Sequence, residues 1–143
     1  LVAAMDDIQS QMTSNACSIS QAAAVAAIGG PQDCIAPMVA EFKKRRDYIV
    51  GRLNRMPGVR CNLPAGAFYV FPDVSGVFGR KANGKAIDSG EALTEHLLES
   101  AGVAVVPGEG FGDKRFVRLS YATSMDAIAR GMDLMEKALA DLE

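Results

Sequence analysis

The sequence contains no tryptophan, one histidine and three cysteines, and only 6% of its 143 residues are aromatic. Cys17, Cys34 and Cys61 are odd in number, far apart and without a C-x-x-C pair. A disulfide scaffold is therefore not expected, and with His96 as the sole histidine neither is a zinc site or any other metal centre. No apolar run approaches the ~20 residues of a membrane span, and no signal peptide is expected. Excess basic charge is missing too: 15 basic residues stand against 17 acidic ones, for a net charge of −2. The single basic run, Lys43-Lys44-Arg45-Arg46, lies inside a helical pattern and reads as a solvated face rather than a nucleic-acid patch. An initiating methionine and a helix cap are also absent. Leu1 stands inside an amphipathic pattern, so the chain reads as a piece of a longer protein. The expectation that remains is a reduced, cytoplasmic globular domain; 49% hydrophobic residues at this length suffice to bury a core.

Leu1 to about Met12 reads as a helix, followed by the turn and cap formers Thr13-Ser14-Asn15-Ala16-Cys17-Ser18. Ile19 to Ile28 is an alanine-rich helix, apolar on nearly every face, a pattern normally buried. Gly29-Gly30-Pro31 ends it. A long helix follows from about Gln32 to Met56, with Ile35, Met38, Val39, Phe42, Ile49, Leu53 and Met56 making one stripe. Strands are expected at Val59–Cys61, Gly66–Phe71, Val103–Val106 and Phe116–Tyr121. The glycine-bearing stretch from Ser75 to Lys85 reads as a mobile surface loop. Asp88 with Glu91 suggests a capped helix carrying Leu93, Leu97, Leu98 and Ala101 inward and closed by Gly102. Thr123 or Ser124 caps a last helix with Ile128, Met132, Met135, Leu139 and Leu142 inside. The order of elements implies an α+β fold: a small, mainly antiparallel sheet of three or four strands with helices packed on one face.

Most motif candidates have plain readings. Gly108-x-Gly110-x-Gly112 lies between two strands and opens no helix, so a hairpin loop explains it better than a phosphate cradle. His96 sits mid-helix beside Leu97 and Leu98 and reads as structural. Ser75-Gly76 and Ser89-Gly90 do not form the strand–turn–helix elbow of a serine hydrolase. Arg118 differs. Strand alternation puts it on one face with Phe116 and Ser120, in a segment that otherwise packs. A half-buried guanidinium needs an anionic partner, and its planar fork suits a carboxylate. That partner is either an internal Asp or Glu or the carboxylate of a ligand.

Four segments, in order, match one family. Gln9 to Gln21 followed by Ala22-Ala23-Ala24, Pro64 to Pro72 (P-x-G-A-F-Y-x-F-P), Ala101 to Gly108 with Phe111-Gly112, and Phe116 to Ala122 (F-x-R-[IL]-S-Y-A) are together similar to class I aminotransferases. These are the pyridoxal-phosphate enzymes of fold type I, and the nearest likeness is to bacterial aspartate aminotransferases. The resemblance implies that residues 1–30 form a helical segment leading from a large domain and that residues 31–143 form the C-terminal small domain. It implies that Arg118 grips the substrate α-carboxylate, that Phe68 stands near the substrate pocket, and that Ser14 and Asn15 lie near the subunit interface and the cofactor phosphate of a homodimer.

The family's Schiff-base lysine occupies an S-x-S-K motif upstream of this region. No such motif occurs here, so no catalytic residue is assigned to this chain and the isolated chain is expected to be inactive. The implied activity of the complete protein is transfer of an amino group from an amino acid, aspartate first, to a 2-oxo acid, with no membrane or nucleic-acid partner. One branch of the family binds the distal carboxylate with a second arginine; the corresponding position here is Ser10. Two alternatives share these residues: another fold-type I pyridoxal-phosphate protein (a β-lyase, synthase or regulator), and a non-enzymatic carboxylate-binding or interaction module.

Overall fold

The computed structural model describes residues 1–13 and 15–143, which divide into two compact units, Leu1–Pro37 and Met38–Glu143. In the first unit, α1 (Val2–Thr13) and α2 (Ser18–Gly29) contribute no buried residue. Ile19, Val25 and Ile28 are 79%, 73% and 82% exposed, so the all-round apolar character of α2 does not bury it in this chain. The helix itself is sound, because alanine loses almost no side-chain entropy on becoming helical.

The second unit holds the core. α3 (Ile35–Leu53) begins three residues later than expected and ends three earlier, and only its last turns are buried, through Ile49, Val50 and Leu53. Ile35, Met38 and Val39 on the same stripe stay exposed. Beyond the helix Asn54 does the work of a strand: its side chain donates to the Cys61 carbonyl and accepts from the Cys61 N–H, both at 2.8 Å. The expected strand at Val59–Cys61 is thereby reduced to one bridge, Arg60 with Asp73.

β1 (Tyr69–Val70), β5 (Val117–Ser120) and β4 (Val106–Pro107) form an antiparallel sheet in the order β1-β5-β4. Tyr69 stands opposite Ser120, Val70 opposite Leu119, Val106 opposite Arg118 and Pro107 opposite Val117. The strands are shorter than their apolar runs for local reasons. Ala67 takes a left-handed φ of 65°, which no strand accommodates. Gly102 ends α4 (Gly90–Ala101) at φ 64°, and the N–H groups of Gly102 and Val103 return to the Leu98 and Leu97 carbonyls. Val103 is thus spent on the helix cap.

Ser75 to Lys85 is ordered structure, not a bare loop. It contains a 3-10 turn that buries Val77 completely, and a hairpin of β2 (Lys81–Ala82) and β3 (Lys85–Ala86). Asn83 and Gly84, at φ 50° and 80°, make the tight turn that two-residue hairpins favour. Lys81 also exchanges backbone hydrogen bonds with Glu143.

Ser89, not Asp88, caps α4 by accepting from Ala92 N–H; Leu93 and Leu97 are buried, but Leu98 is exposed. Ser124 caps α5 (Met125–Ala140), whose Ile128, Met132, Met135 and Leu139 all lie inside, with Leu142 just beyond. These residues join Val70, Val117 and Leu119 in one core cluster, so the helices cover a single face of the sheet, as the α+β reading requires. The basic run is only partly solvated. Arg45 pairs with Glu41 and Arg46 with Asp47, and Arg46 also reaches the Pro64 carbonyl; Lys43 and Lys44 are exposed.

Candidate functional site

β5 alternates as the sequence implies. Val117 and Leu119 point into the core, while Arg118 and Ser120 lie on the opposite face. That outer face is an aromatic platform. The Arg118 guanidinium lies 5.0 Å from the centroid of the Phe111 ring and 5.5 Å from that of Tyr69. Phe71 stacks on Phe116 at 4.8 Å with the rings 9° from parallel, and meets Phe111 edge-on at 5.8 Å. Phe68 packs edge-on against Tyr69.

Arg118 is half-buried, and the ion pairs among the described residues involve Arg45, Arg46, Arg52 and Arg115 but not Arg118. The internal-salt-bridge reading thus finds no partner among them. The contrast with Arg115 is informative. Arg115 stacks over Phe116 and also holds the Asp113 carboxylate at 2.6 Å, which lowers the Asp113 pKa to about 2. Arg118 has the rings without the carboxylate. Stacking occupies the flat faces of a guanidinium and leaves its in-plane N–H edge able to meet an anion in a bidentate pair.

Phe111 reaches Arg118 from the turn Gly108–Phe111 joining β4 to β5. This is the hairpin reading of the three glycines. Gly108 N–H donates to the Phe116 carbonyl at 2.8 Å, and Gly112, at φ 90°, closes the turn on the Glu109 carbonyl. A side chain at Gly108 would collide with the carbonyls of Asp113 and Phe116.

Tyr69 meets both the Phe68 ring, at 5.7 Å, and the Arg118 guanidinium, at 5.5 Å, while no cation–π contact joins Phe68 itself to Arg118 among the described residues. Phe68 instead lines an apolar cleft of about 670 Å³ with Met38, Val39, Phe42 and Tyr121. Asn15 is exposed in a bend of the Leu1–Pro37 unit, and Ser14 lies outside the described residues. His96 fits its structural reading: its Nε2 lies 3.4 Å from the Ala138 carbonyl, tying α4 to α5.

Sequence reasoning passed over Tyr69 and Phe111 as neighbours of Arg118. Tyr69 could have been found by pairing the two aromatic-rich strands, since it occupies the same face as Phe71. Phe111 lies in a turn, where no periodicity points to a face.

The comparisons with known proteins agree with one another. The sequence profile of the family described as aminotransferase class I and II matches residues 1–133. A probable aspartate/prephenate aminotransferase of Rickettsia felis is 45% identical over 143 residues, covering 99% of this chain and 35% of the relative. An aspartate aminotransferase of Rhizobium meliloti is 45% identical over 139 residues, covering 96% and 34%. Among solved structures, an aspartate aminotransferase from Rhizobium meliloti superposes with a TM-score of 0.89 at 43% identity, over 99% of this chain and 36% of its own. An alanine aminotransferase from Pyrococcus furiosus superposes at 0.74 with 30% identity, over 83% and 29%. The chain therefore spans about a third of the length of these relatives.

Proposed function

The chain belongs to the class I and II aminotransferase family, and from that premise we propose that the complete protein transfers an amino group from an amino acid to a 2-oxo acid. Residues 1–30 lead from the large domain in this reading, and residues 31–143 make the small domain. Aspartate is the first substrate, supported by the names of the relatives. The observation that carries the proposal is Arg118: a half-buried guanidinium, flanked by two rings and joined to no carboxylate among the described residues, on the sheet face opposite the core. It binds the substrate α-carboxylate and so orients the substrate, a contribution that is mainly positional. Phe68, in contact with the Tyr69 ring, supplies apolar surface to the substrate pocket.

Pyridoxal phosphate, when bound in the complete protein, supplies the electron sink of such reactions. The residues of this chain do not by themselves make its site. None of the six lysines stands in an S-x-S-K context, and Asn15 is an exposed bend residue. Ser14 and Asn15 contribute at the subunit interface of a homodimer, near the cofactor phosphate. The three unpaired cysteines suit a reducing cytoplasm, and no helix among the described residues is long and apolar enough to cross a membrane.

The test is Arg118→Lys in the complete protein. Lysine keeps the charge and loses the fork. A charged hydrogen bond contributes about 1.5–3 kcal/mol, so kcat/KM should fall about ten- to a hundredfold. The loss should be similar for dicarboxylic and neutral amino acids, because the α-carboxylate is common to all. Normal turnover by the folded variant would overturn the assignment.

A further inference from the structure

We propose that Phe111 is a positioning residue for Arg118: its ring, together with that of Tyr69, holds the guanidinium oriented before a carboxylate arrives. This rests on the reading of Arg118 as the carboxylate ligand.

Burial does not explain where Phe111 sits. Phe111 is 52% exposed, on a turn, and its ring meets the Arg118 guanidinium at 5.0 Å and the Phe71 ring in a T-shaped pair at 5.8 Å. The turn beneath it is held at several points. Gly108 N–H is bonded to the Phe116 carbonyl, Gly112 N–H to the Glu109 carbonyl, and Asp113 N–H to the Gly108 carbonyl. The Glu109 side chain fastens the same turn to the start of α4, where Oε1 accepts from Glu91 N–H at 3.1 Å. A carboxylate at that position also complements the positive end of the helix dipole. The ring is therefore presented on a fixed base, and Tyr69 comes from β1 across the sheet.

A free arginine side chain is rich in rotamers, and ordering it on binding weakens affinity. Two π faces attract the cation while consuming none of its hydrogen-bond donors. Stacking thus removes most of the ordering cost and leaves the N–H edge to the ligand, the usual logic of preorganisation.

The test compares Phe111→Leu, Phe111→Tyr and Arg118→Lys in the complete protein. Phe111→Leu should raise KM for every amino-acid substrate about two- to tenfold, the range set by immobilising one such side chain, with kcat nearly unchanged. Phe111→Tyr, which keeps the π face, should restore KM. In the 15N-labelled protein the Arg118 Hε resonance should lie upfield of exposed arginines, move downfield in Phe111→Leu and return in Phe111→Tyr. Phe111→Leu without effect on KM, while Arg118→Lys impairs turnover, overturns the positioning role alone. A rise that Phe111→Tyr does not rescue overturns it also, because the aromatic face is then not what matters. No effect from either Phe111→Leu or Arg118→Lys overturns the reading of Arg118 itself.

Discussion

The Tyr121 hydroxyl donates a 2.8 Å hydrogen bond to the carbonyl of Ala67, 54 residues earlier. Ala67 adopts a φ of 65°, rare for a residue with a Cβ. Tyr121 is 1% exposed and its N–H also donates to the Phe68 carbonyl at 2.8 Å. One residue just beyond β5 thus holds both the left-handed bend before β1 and the backbone of Phe68.

Tyr121→Phe removes the hydroxyl and retains the buried ring. Because Ala67 is exposed, water can replace the lost donor, and the expected loss is about 1 kcal/mol. Urea unfolding of the two chains measures it. An unchanged midpoint would show that Ala67 holds its conformation without this bond.

Gly108 and Gly110 should respond oppositely to alanine. A Cβ at Gly108 meets the Asp113 and Phe116 carbonyls, whereas one at Gly110 meets nothing. Gly108→Ala should destabilise by about 1–3 kcal/mol through overpacking, and Gly110→Ala by no more than about 0.5 kcal/mol. Equal midpoints for the two variants in urea would contradict the close approach at Gly108.

The cysteines should separate by reactivity. Cys17 is exposed at the N-terminus of α2, where the backbone N–H groups of Ser20 and Ile19 stabilise its thiolate and lower its pKa. Burial pushes Cys61 up to about 11 from 9.0. Iodoacetamide at pH 8 should therefore modify Cys17 before Cys61, as peptide mass mapping would reveal. The sign for stability follows from linkage. The native state keeps the Cys61 proton longer than the unfolded chain, so this contribution is present below pH 9 and is lost as pH rises through 11. Modification of Cys61 at the rate of Cys17 in the native chain would contradict the burial.

The isolated chain should show no turnover of aspartate with 2-oxoglutarate, since no lysine stands in the S-x-S-K context. It should also self-associate, because α2 exposes Ile19, Val25 and Ile28 together. Sedimentation would detect this. Turnover, or a strictly monomeric chain with α2 intact, would count against the respective expectation.

What the sequence by itself determined is what short-range periodicity and capping chemistry control. Val117 and Leu119 lie inside and Arg118 outside because side chains alternate along any strand. The inner face of α5 and its Ser124 cap follow in the same way from spacing and from the orphan N–H groups of a helix start. Tertiary structure alone decided how much of each apolar stripe found a partner: Ile49 and Leu53 did, while Ile35, Met38 and Leu98 did not. It also decided where strands stop, since the Gly102 cap and the Ala67 bend claim backbone groups that an apolar run would assign to the sheet. The surroundings of Arg118 belong to this second kind. Its own strand dictates that it faces outward, but Tyr69 reaches it only through the β1–β5 register and Phe111 only through a turn anchored on α4. Those neighbours come together when the core closes, because register and loop anchoring are set by contacts between distant segments rather than by any local pattern.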